Sequence, residues 1–487
     1  MGKTFGGGRT LANEKKLVEQ ITPRDVDFAA WYTDIVKKAE LVDYSSMKGF
    51  VILRPYAYAI WENIQRLADG LFKETGHENV YMPLLIPESL LQKEKDHVEG
   101  FAPEVAWVTH GGSEPLTERL CVRPTSETLF CEHYAHIINS WRDLPKLYNQ
   151  WCSVVRWEKT SRPFLRGREF LWQEGHTAHA TAEEAREETL RMLDIYAQVA
   201  EEYLAMPVIK GQKTDSEKFA GAQATYTFEC MMQDGKALQS GTTHYFGDGF
   251  AKAFGITYTD KENTLRHVFQ TSWGFSTRLI GGVIMTHGDD SGLVLPPVIA
   301  PIQVAVVPVA QHKPGVPEKA AEVAALLKAA GVRVKLDDSD QSPGWKFAEY
   351  EMKGVPLRLE LGPRDIEAGQ CVLARRTGGK DTVPLEGLAG TVKAALDAVQ
   401  KTLFDNAYQN LHSRITVAKT LDEMVAGTKT GFVKTMWCGD EGCEDTVREA
   451  TGGVKTRCLP FDQTPLGDVC AVCGRPADKV LYWGYQY

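Results

Sequence analysis

The sequence predicts a protein of mixed α/β class with three successive units. Residues 21–295 combine amphipathic helices with strands joined as hairpins, which predicts an α+β unit built on an antiparallel sheet. Residues 296–404 alternate strands with helices, which predicts an α/β unit with a mainly parallel sheet. Residues 405–487 carry paired cysteines and predict a small α+β unit. Residues 1–20, rich in glycine and charge, are expected to form a mobile tail.

The composition is that of an ordinary globular protein. The 487 residues are 43% hydrophobic and 24% charged, with a net charge of −9. The N-terminal stretch lacks the apolar segment of a secretory signal, and no apolar run is long enough to predict a membrane span. We therefore expect a cytoplasmic chain without a membrane partner. Nucleic-acid binding is not excluded by the net charge, because local basic patches decide it.

The N-terminal elements suit packing more than chemistry. Apolar residues at helical spacing predict a helix over 25–38, and Pro55 then opens a second, longer helix that Gly76 ends. The stretch 78–87 follows as a strand that contains two prolines. A long helix leading into such a strand favours a packing or dimer surface.

Thr125 and Glu127 form the first candidate binding pair. They lie two positions apart, so in an extended segment both side chains face the same side. A hydroxyl and a carboxylate that converge there would suit an ammonium group. The same residues also allow Thr125 or Ser126 to cap a helix over 127–140, and the sequence leaves both interpretations open.

The stretch 154–179 predicts a hairpin with a basic loop. Alternation gives one face of its strands an arginine, two acids, two aromatics and a histidine, namely Arg156, Glu158, Phe170, Trp172, Glu174 and His176. The loop adds Lys159, Arg162, Arg166 and Arg168. Guanidinium forks bind phosphates and an aromatic plane stacks on a purine, so the hairpin predicts a polyphosphate or nucleotide site. A solvated surface hairpin is the alternative.

Two later segments add candidate ligands. Gln239, Thr242 and His244 lie in a run of small residues, which lets a ligand approach the backbone, although a tight turn would have the same pattern. Arg278 stands at the start of an apolar helix over 277–285. A cation and the helix dipole together favour an anion there.

Prolines at 296–301 mark a linker into the second unit. Its pattern predicts strands over 302–309, 332–336, 356–361 and 370–375, with helices over 317–331, 344–354 and 388–404. The unit lacks the glycine patterns of dinucleotide and P-loop sites, so a nucleotide cofactor is not indicated there.

The last unit contains a CX4C and a CX2C pair, formed by Cys438, Cys443, Cys470 and Cys473. Such pairs in a cytoplasmic chain match a tetrahedral structural zinc site. Unliganded thiols, in a unit that has lost its metal, are the alternative. The aromatic chain end, WGYQY, predicts that the terminus packs against the body of the protein.

Three segments resemble the signature motifs of class II aminoacyl-tRNA synthetases. The helix and strand ending at Pro83 resemble motif 1, the dimer motif; 156–158 with 168–170 resemble motif 2; and the segment around Arg278 resembles motif 3. Within that class, the chain resembles the prolyl-tRNA synthetase family in its archaeal and eukaryote-like form. The segments that carry this resemblance are RPTSET, FLWQEGHTA, QTSWG and HGDDSGLVLPP. The second and third units resemble that family's anticodon-binding domain and C-terminal cysteine domain, so the resemblance covers about residues 20–487.

The resemblance implies a homodimeric ligase that activates L-proline with ATP and Mg²⁺ and transfers it to the 3′ end of proline tRNA. It implies catalytic roles for Arg156 and Arg278. ATP would be held by Arg156, Glu158, Arg166, Phe170, Gln239, Thr242 and Arg278. Proline would be held by Thr125, Glu127, Arg156, Phe101, Trp172, His176 and His244. Candidate anticodon contacts are Glu351, Arg358, Arg364 and Asp365, since arginines and carboxylates bind base edges.

The stretch between motifs 2 and 3 is accounted for by ordinary helices and strands. It leaves no room for the large editing insertion that bacterial-type prolyl enzymes carry. We therefore expect no correction of alanine within this chain, and activation of cysteine, which is close to proline in size. Two other functions stay open: a non-catalytic paralogue that binds nucleic acid or a partner, and a sister ligase for threonine, serine, glycine or histidine. The presence of Arg156, Glu158 and Arg278 counts against the paralogue.

Overall fold

A computed structural model describes residues 21–93 and 105–487 of the chain. The predicted tail at 1–20 and Phe101, predicted to contact proline, lie outside the described residues. The first elements are α1 (Phe28–Lys38), β1 (Val42–Tyr44), β2 (Val51–Leu53), α2 (Pro55–Glu74), β3 (Glu78–Asn79), β4 (Leu85–Pro87), α3 (Glu88–Leu91), β5 (Ala106–Gly111), β6 (Glu114–Val122) and α4 (Glu127–Ile137).

The long helix α2 begins at Pro55, as the sequence predicts. Proline fits the first helical position because its missing N–H would have no partner there. The helix buries one face, including Ile60, Ile64 and Phe72. The Phe72 ring lies 5.4 Å from that of Trp273, centroid to centroid, so α2 packs directly on the central sheet.

The central sheet carries the predicted hairpin. Its elements follow in the chain as β7 (Lys146–Val155), β8 (Glu169–His179), α5 (Ala182–Gln198), β9 (Ile209–Gln212), β10 (Ala224–Met231), β11 (Ala237–Gly247), α6 (Gly249–Phe254), β12 (Thr257–Thr259), β13 (Leu265–His267), β14 (Phe269–Ser276) and α7 (Arg278–His287). The spatial order is β9–β10–β11–β14–β8–β7–β3. Every neighbouring pair is antiparallel except β3 with β7, which confirms the antiparallel prediction.

Side-chain alternation divides the sheet into two faces. Phe228, Trp273 and Phe275 point into the apolar core, which also contains buried residues of α1, α2, α5 and α7. The alternate positions on the same strands are mostly polar. The sheet therefore presents a polar face on a rigid apolar support.

The second unit is a five-stranded mixed sheet with helices. It contains β15 (Val304–Pro308), α8 (Val316–Ala329), β16 (Val334–Leu336), α9 (Pro343–Met352), β17 (Leu357–Leu361), α10 (Pro363–Glu367), β18 (Gln370–Arg375), β19 (Lys380–Pro384) and α11 (Leu388–Ser413). Strands β16, β15 and β17 run parallel, and β18 and β19 follow antiparallel. Because α11 continues to Ser413, the predicted limit at 404/405 falls inside a helix. The domain limits otherwise stay predictions.

The third unit extends the central sheet. It contains β20 (Ile415–Val417), α12 (Leu421–Gly427), β21 (Phe432–Trp437), α13 (Glu441–Thr451), β22 (Lys455–Thr456), β23 (Leu459–Pro460) and β24 (Lys479–Gly484). Strands β20, β21, β24 and β22 form its own sheet, whereas β23 pairs antiparallel with β9. Chain-end residues pair with Ala237 of β11, since Ala237 N donates to Tyr485 O at 2.8 Å and Tyr487 N donates to Ala237 O at 3.0 Å. The chain end thus packs on the body.

The described ranges contain no helix with the combined length and apolarity that a membrane crossing requires.

Candidate active site

A cavity of about 200 Å³ opens on the polar face of the central sheet. Predicted ligands from four separate segments meet in its wall, namely Thr125, Glu127, Arg156, Trp172, His176, Gln239, Thr242 and His244. The wall also includes Glu174, which the alternation placed on this face without a ligand role. Further wall residues with no ligand role predicted from the sequence are Lys213, Glu217, Phe219, Thr225, Ser272, Trp273 and Gly274.

Thr125 and Glu127 are both buried at this cavity. Thr125 Oγ1 donates to Glu127 Oε2 at 2.5 Å, and Ser272 Oγ lies 3.5 Å from Glu127 Oε1. Ser126 directly precedes α4, but its hydroxyl donates to Glu174 Oε1 at 2.6 Å, so the described residues place no side-chain cap on this helix. The capping interpretation is therefore wrong. A buried carboxylate bordered by hydroxyls suits a cationic amine.

Glu174 is the centre of a buried hydrogen-bond network that includes His176 of the cavity wall. It accepts hydrogen bonds from Ser126 N at 3.1 Å, Gln150 Nε2 at 2.6 Å and His176 Nε2 at 2.8 Å. Burial by itself raises the pKa of Glu174, but the hydrogen bond and charge of His176, with the bonds from Ser126 and Gln150, hold it below its usual value. The His176 ring also stacks on Phe130 at 4.2 Å between centroids. The period-2 alternation placed Glu174 on this face, but gave no sign of its partners.

His244 forms a neutral part of the wall. Its ring nitrogens lie 3.0 Å from Thr225 Oγ1 and 3.1 Å from Thr242 Oγ1. Burial, with the charges of His176 and Arg156, lowers the pKa of His244 to about 3. A neutral imidazole does not repel an ammonium group bound nearby.

Two arginines bring positive charge to the site. Arg156 lines the cavity, whereas Arg278 is not among the lining residues but lies close enough to Arg156 and Arg166 for their charges to act on it. Arg156 Nε donates to Pro124 O at 3.0 Å, and its guanidinium lies 5.3 Å from the centroid of Trp172. Arg278 Nε donates to Leu165 O at 3.2 Å and its Nη1 to Gln239 O at 3.3 Å. Burial, together with the charges of Arg166 and Arg156, lowers the pKa of Arg278 to about 10. This clustering of like charges favours a bound polyanion.

The remaining motif 2 residues lie to one side of the cavity. Strand β7 ends at Val155, so Arg156 and Glu158 follow the strand instead of sharing its face as predicted. Glu158 N bonds to Arg156 O at 2.7 Å in a tight turn, and the Glu158 carboxylate pairs with Arg166 Nη1 at 2.9 Å. Arg166 and Phe170 line a second cavity of about 440 Å³. Phe170 contacts Trp172 of the first cavity, with 6.0 Å between ring centroids.

The four paired cysteines converge in the third unit. Their Sγ atoms all lie within 4.8 Å of one another, and Cys438 Sγ is 3.7 Å from both Cys443 Sγ and Cys473 Sγ. Tetrahedral zinc with Zn–S bonds of about 2.3 Å needs S···S separations of about 3.8 Å, so the residues fit this metal. Hydrogen bonding from Arg475 lowers the pKa of Cys473 to about 6, whereas burial raises the pKa of Cys438 and of Cys443. The fit to zinc therefore rests on the geometry of the four thiols.

The predicted anticodon contacts do not come together. Glu351 and Arg358 line a pocket of about 190 Å³ with three unassigned cationic residues, Arg375, Arg376 and Lys380. Arg364 and Asp365 lie elsewhere, at the start of α10, where Asp365 Oδ2 accepts from Gly362 N at 2.9 Å. The Asp365 carboxylate therefore caps the N-terminus of α10. The three cationic residues of the pocket come from the sequence RRTGGK, which joins basic residues to a hairpin turn.

Three parts of the chain match models of protein families. Residues 107–287 match the tRNA synthetase class II core domain (G, H, P, S and T), residues 303–395 an anticodon binding domain, and residues 421–487 the C-terminal domain of prolyl-tRNA synthetase.

Curated relatives match along nearly the whole chain. The proline–tRNA ligase of Ruminiclostridium cellulolyticum is 65% identical over 480 residues, which cover 98% of this chain and 100% of that protein. The proline–tRNA ligase of Lachnospira eligens is 63% identical with the same coverage. Proline–tRNA ligase 2 of Bacillus cereus is 60% identical over 97% of this chain and 100% of its own length. The chain therefore belongs to the proline–tRNA ligase family of class II aminoacyl-tRNA synthetases.

Proposed function

We propose that this chain activates L-proline with ATP and transfers the prolyl group to the 3′ end of proline tRNA. The observation that carries the proposal is the meeting, in one cavity, of a buried hydroxyl–carboxylate pair with a guanidinium group. Thr125 and Glu127 supply the first and Arg156 the second. The family assignment supports the same reaction.

Activation is an in-line attack of the proline carboxylate on the ATP α-phosphate, with pyrophosphate leaving. It needs charge neutralisation and positioning more than proton transfer. Thr125 and Glu127 hold the ammonium, while Trp172, His176 and the neutral His244 surround the ring. Arg156 contacts both the carboxylate and the α-phosphate.

The nucleotide is held by the remaining motif residues. Phe170 stacks on adenine and Glu158 binds its amino side, whereas Gln239 and Thr242 line the ATP site. Arg166 and Arg278 bind the outer phosphates, and Mg²⁺ supplies further charge neutralisation when it accompanies ATP. Glu158 and Arg166 pair with each other at 2.9 Å, and each keeps further hydrogen-bonding groups for ATP.

ATP–pyrophosphate exchange screened over the twenty amino acids tests this proposal. We expect exchange with proline, and with Glu127→Gln a rise in the KM for proline on the order of a hundredfold, because a charge-assisted contact is lost. The KM for ATP should stay unchanged. Glu132→Gln, an exposed carboxylate on the same helix, is the matched control. Exchange with another amino acid but not with proline would refute the assignment.

The second unit would bind the anticodon through the pocket of Glu351 and Arg358. Arg358 stacks on Phe347, with 4.0 Å from its guanidinium carbon to the ring centroid. Arg358→Ala should lower tRNA charging and leave proline-dependent exchange intact. Arg364→Ala serves as the comparison, because Arg364 lies outside the pocket. Loss of exchange in Arg358→Ala would count against this role.

The cysteine cluster would hold one structural zinc ion, since its four thiols fit tetrahedral coordination. Metal analysis of the purified protein should give one zinc per chain, and Cys443→Ser should abolish it. A protein that folds normally with no bound metal would contradict this part of the proposal.

The chain would lack editing in cis. Residues 156–278, all of which the structure describes, run from motif 2 to motif 3 through elements of the central sheet and their connections. Alanine and cysteine would then be activated without correction by this chain. The expected result is stable alanyl-tRNA in a deacylation assay; rapid hydrolysis by the purified protein would disprove it.

A cytoplasmic homodimer is the proposed working form. Exposed apolar side chains next to β4 support it, since Tyr81 and Leu84 are 71% and 44% exposed. Sedimentation analysis should give the mass of two chains, and Tyr81→Glu should shift it toward one.

A further inference from the structure

Lys213 is a cavity-wall residue that none of the proposed roles uses. It follows β9 and lines the same cavity as Glu127, Arg156 and His244. Its side chain is only 1% exposed, and its Nζ lies 2.7 Å from Glu229 Oε1. A lysine is almost never buried so completely unless its charge is paired, because desolvation of an ammonium is unfavourable, and Glu229 supplies that pairing here.

The partner carboxylate is shared with a second buried cation. Glu229 lies on β10, directly opposite Gln239 of the ATP site in the strand register, and is fully buried. Its Oε2 is 3.8 Å from Nη1 of Arg457, which is also fully buried. Within the described residues, Glu229 Oε2 and Arg457 Nη2 are buried without a hydrogen-bond partner. Two cations thus share one carboxylate beside the cavity.

Arg457 reaches this position from the third unit. It lies between β22 and β23, and β23 pairs with β9 just before Lys213. The backbones approach closely at Gly211, where an added Cβ would lie 2.2 Å from Leu459 O. Gln486 Oε1 accepts from Arg457 Nη1 at 2.6 Å, which fixes the guanidinium against the chain end.

We infer that Lys213 is an additional anion-binding residue of the cavity, and that Arg457 of the third unit positions it through Glu229. The inference rests on the proposed function. A cluster with two positive charges and one negative charge, away from water, favours an anion in the adjoining space. The reaction brings two such groups into the cavity, the amino-acid carboxylate and the α-phosphoryl group. Arg457 touches neither, so it is a positioning residue.

The test measures kcat and both KM values by pyrophosphate exchange in the full chain. Lys213→Met should lower kcat/KM on the order of a hundredfold, with Lys213→Arg partly restoring it. A higher KM for proline would identify the carboxylate as the bound anion, and a higher KM for ATP the α-phosphoryl group. Lys213→Met leaves Glu229 paired with Arg457, so this variant should fold.

A double-mutant cycle separates positioning from mere structural support. Arg457→Met should lower kcat/KM about tenfold in the wild-type background and have no further effect in Lys213→Met, because its action passes through that lysine. Arg457→Lys should retain most activity. Glu444→Ala is the control, because Glu444 also joins the third unit to the first. Ser216 Oγ donates to Glu444 Oε2 at 2.5 Å. The Glu444→Ala variant should have the kinetic constants of the wild type.

Unchanged kinetic constants in Lys213→Met would overturn the inference, and additive effects of Lys213→Met and Arg457→Met would overturn the positioning role. Both results presuppose wild-type exchange with proline. Absence of that exchange refutes the proposed function instead. Calorimetric titration with ATP and with proline gives a second readout without turnover, and should show weaker binding of the same ligand whose KM rises.

Discussion

At the scale of single residues, Arg278 is a half-buried cation held among like charges. Burial and the charges of Arg166 and Arg156 lower its pKa to about 10, so the guanidinium is stabilised most when a polyanion is bound. We expect Arg278→Gln to lower kcat/KM for ATP by roughly 10²–10³-fold and to abolish the rise in unfolding temperature that ATP produces. Exchange kinetics and thermal unfolding measure both. Arg266→Gln, a surface pair with Asp260, is the control, and a full ATP-induced shift in Arg278→Gln would contradict this role.

Buried histidines should make the fold sensitive to acid. Burial lowers the pKa of His287 to about 4, and its Nε2 lies 2.8 Å from Leu204 O. Between that value and the ordinary value of about 6.5, the unfolded chain binds a proton that the native chain does not. The stability that the fold gains by keeping His287 neutral is therefore complete above pH 6.5. It is lost as the pH falls toward 4. His179, with a pKa of about 4, acts in the same direction.

His287→Gln tests this pH dependence. The free energy of unfolding, measured with urea from pH 7 to pH 5, should fall less steeply in the variant, by up to about 1.4 kcal/mol per pH unit. An identical slope in the two proteins would show that His287 does not titrate on unfolding.

At the scale of elements, the pairing of β9 with β23 depends on one glycine. A Cβ at Gly211 would lie 2.2 Å from Leu459 O, so Gly211→Ala should force the two strands apart. We expect a loss of about 1–3 kcal/mol of stability, with faster hydrogen exchange in β23. Gly70→Ala is the contrasting change, because Gly70 lies inside α2 and an added Cβ there would have no neighbouring atom within 4 Å. It should stabilise the helix by about 0.5–1 kcal/mol, and equal effects of the two changes would refute the steric argument.

The part of the cavity wall that the sequence predicted from alternation lies on strands, where successive side chains point to opposite faces of the sheet. Alternation placed Trp172, Glu174 and His176 on one face of β8, and all three line the cavity. Lys213 and Phe219 could not be found in this way, because they lie in an irregular connection whose position depends on distant strand pairing. The end of α11 was missed for a related reason: the helix buries Leu411 beyond the predicted domain limit, and the sequence has no glycine or proline to stop it there.

At the scale of the whole molecule, the chain end joins the third unit to the sheet that carries the active site. Ala237 pairs with Tyr485 and Tyr487, and two positions later Gln239 contacts Arg278. The Tyr487 hydroxyl donates to Asp234 Oδ2 at 2.5 Å, while Gln486 supports Arg457. Strand β11 is therefore held at its start by the C-terminal residues.

Removal of Tyr485–Tyr487 should lower both stability and proline activation. The deletion leaves the N–H and C=O of Ala237 without their backbone partners and releases Arg457, so the start of β11 gains freedom beside the ATP site. We expect kcat/KM for exchange to fall at least about tenfold, measured well below the unfolding temperature. Tyr487→Phe removes only the bond to Asp234 and should change stability by about 1 kcal/mol with near-normal exchange. Full exchange by the shortened chain would mean that the third unit stabilises the fold without shaping the active site.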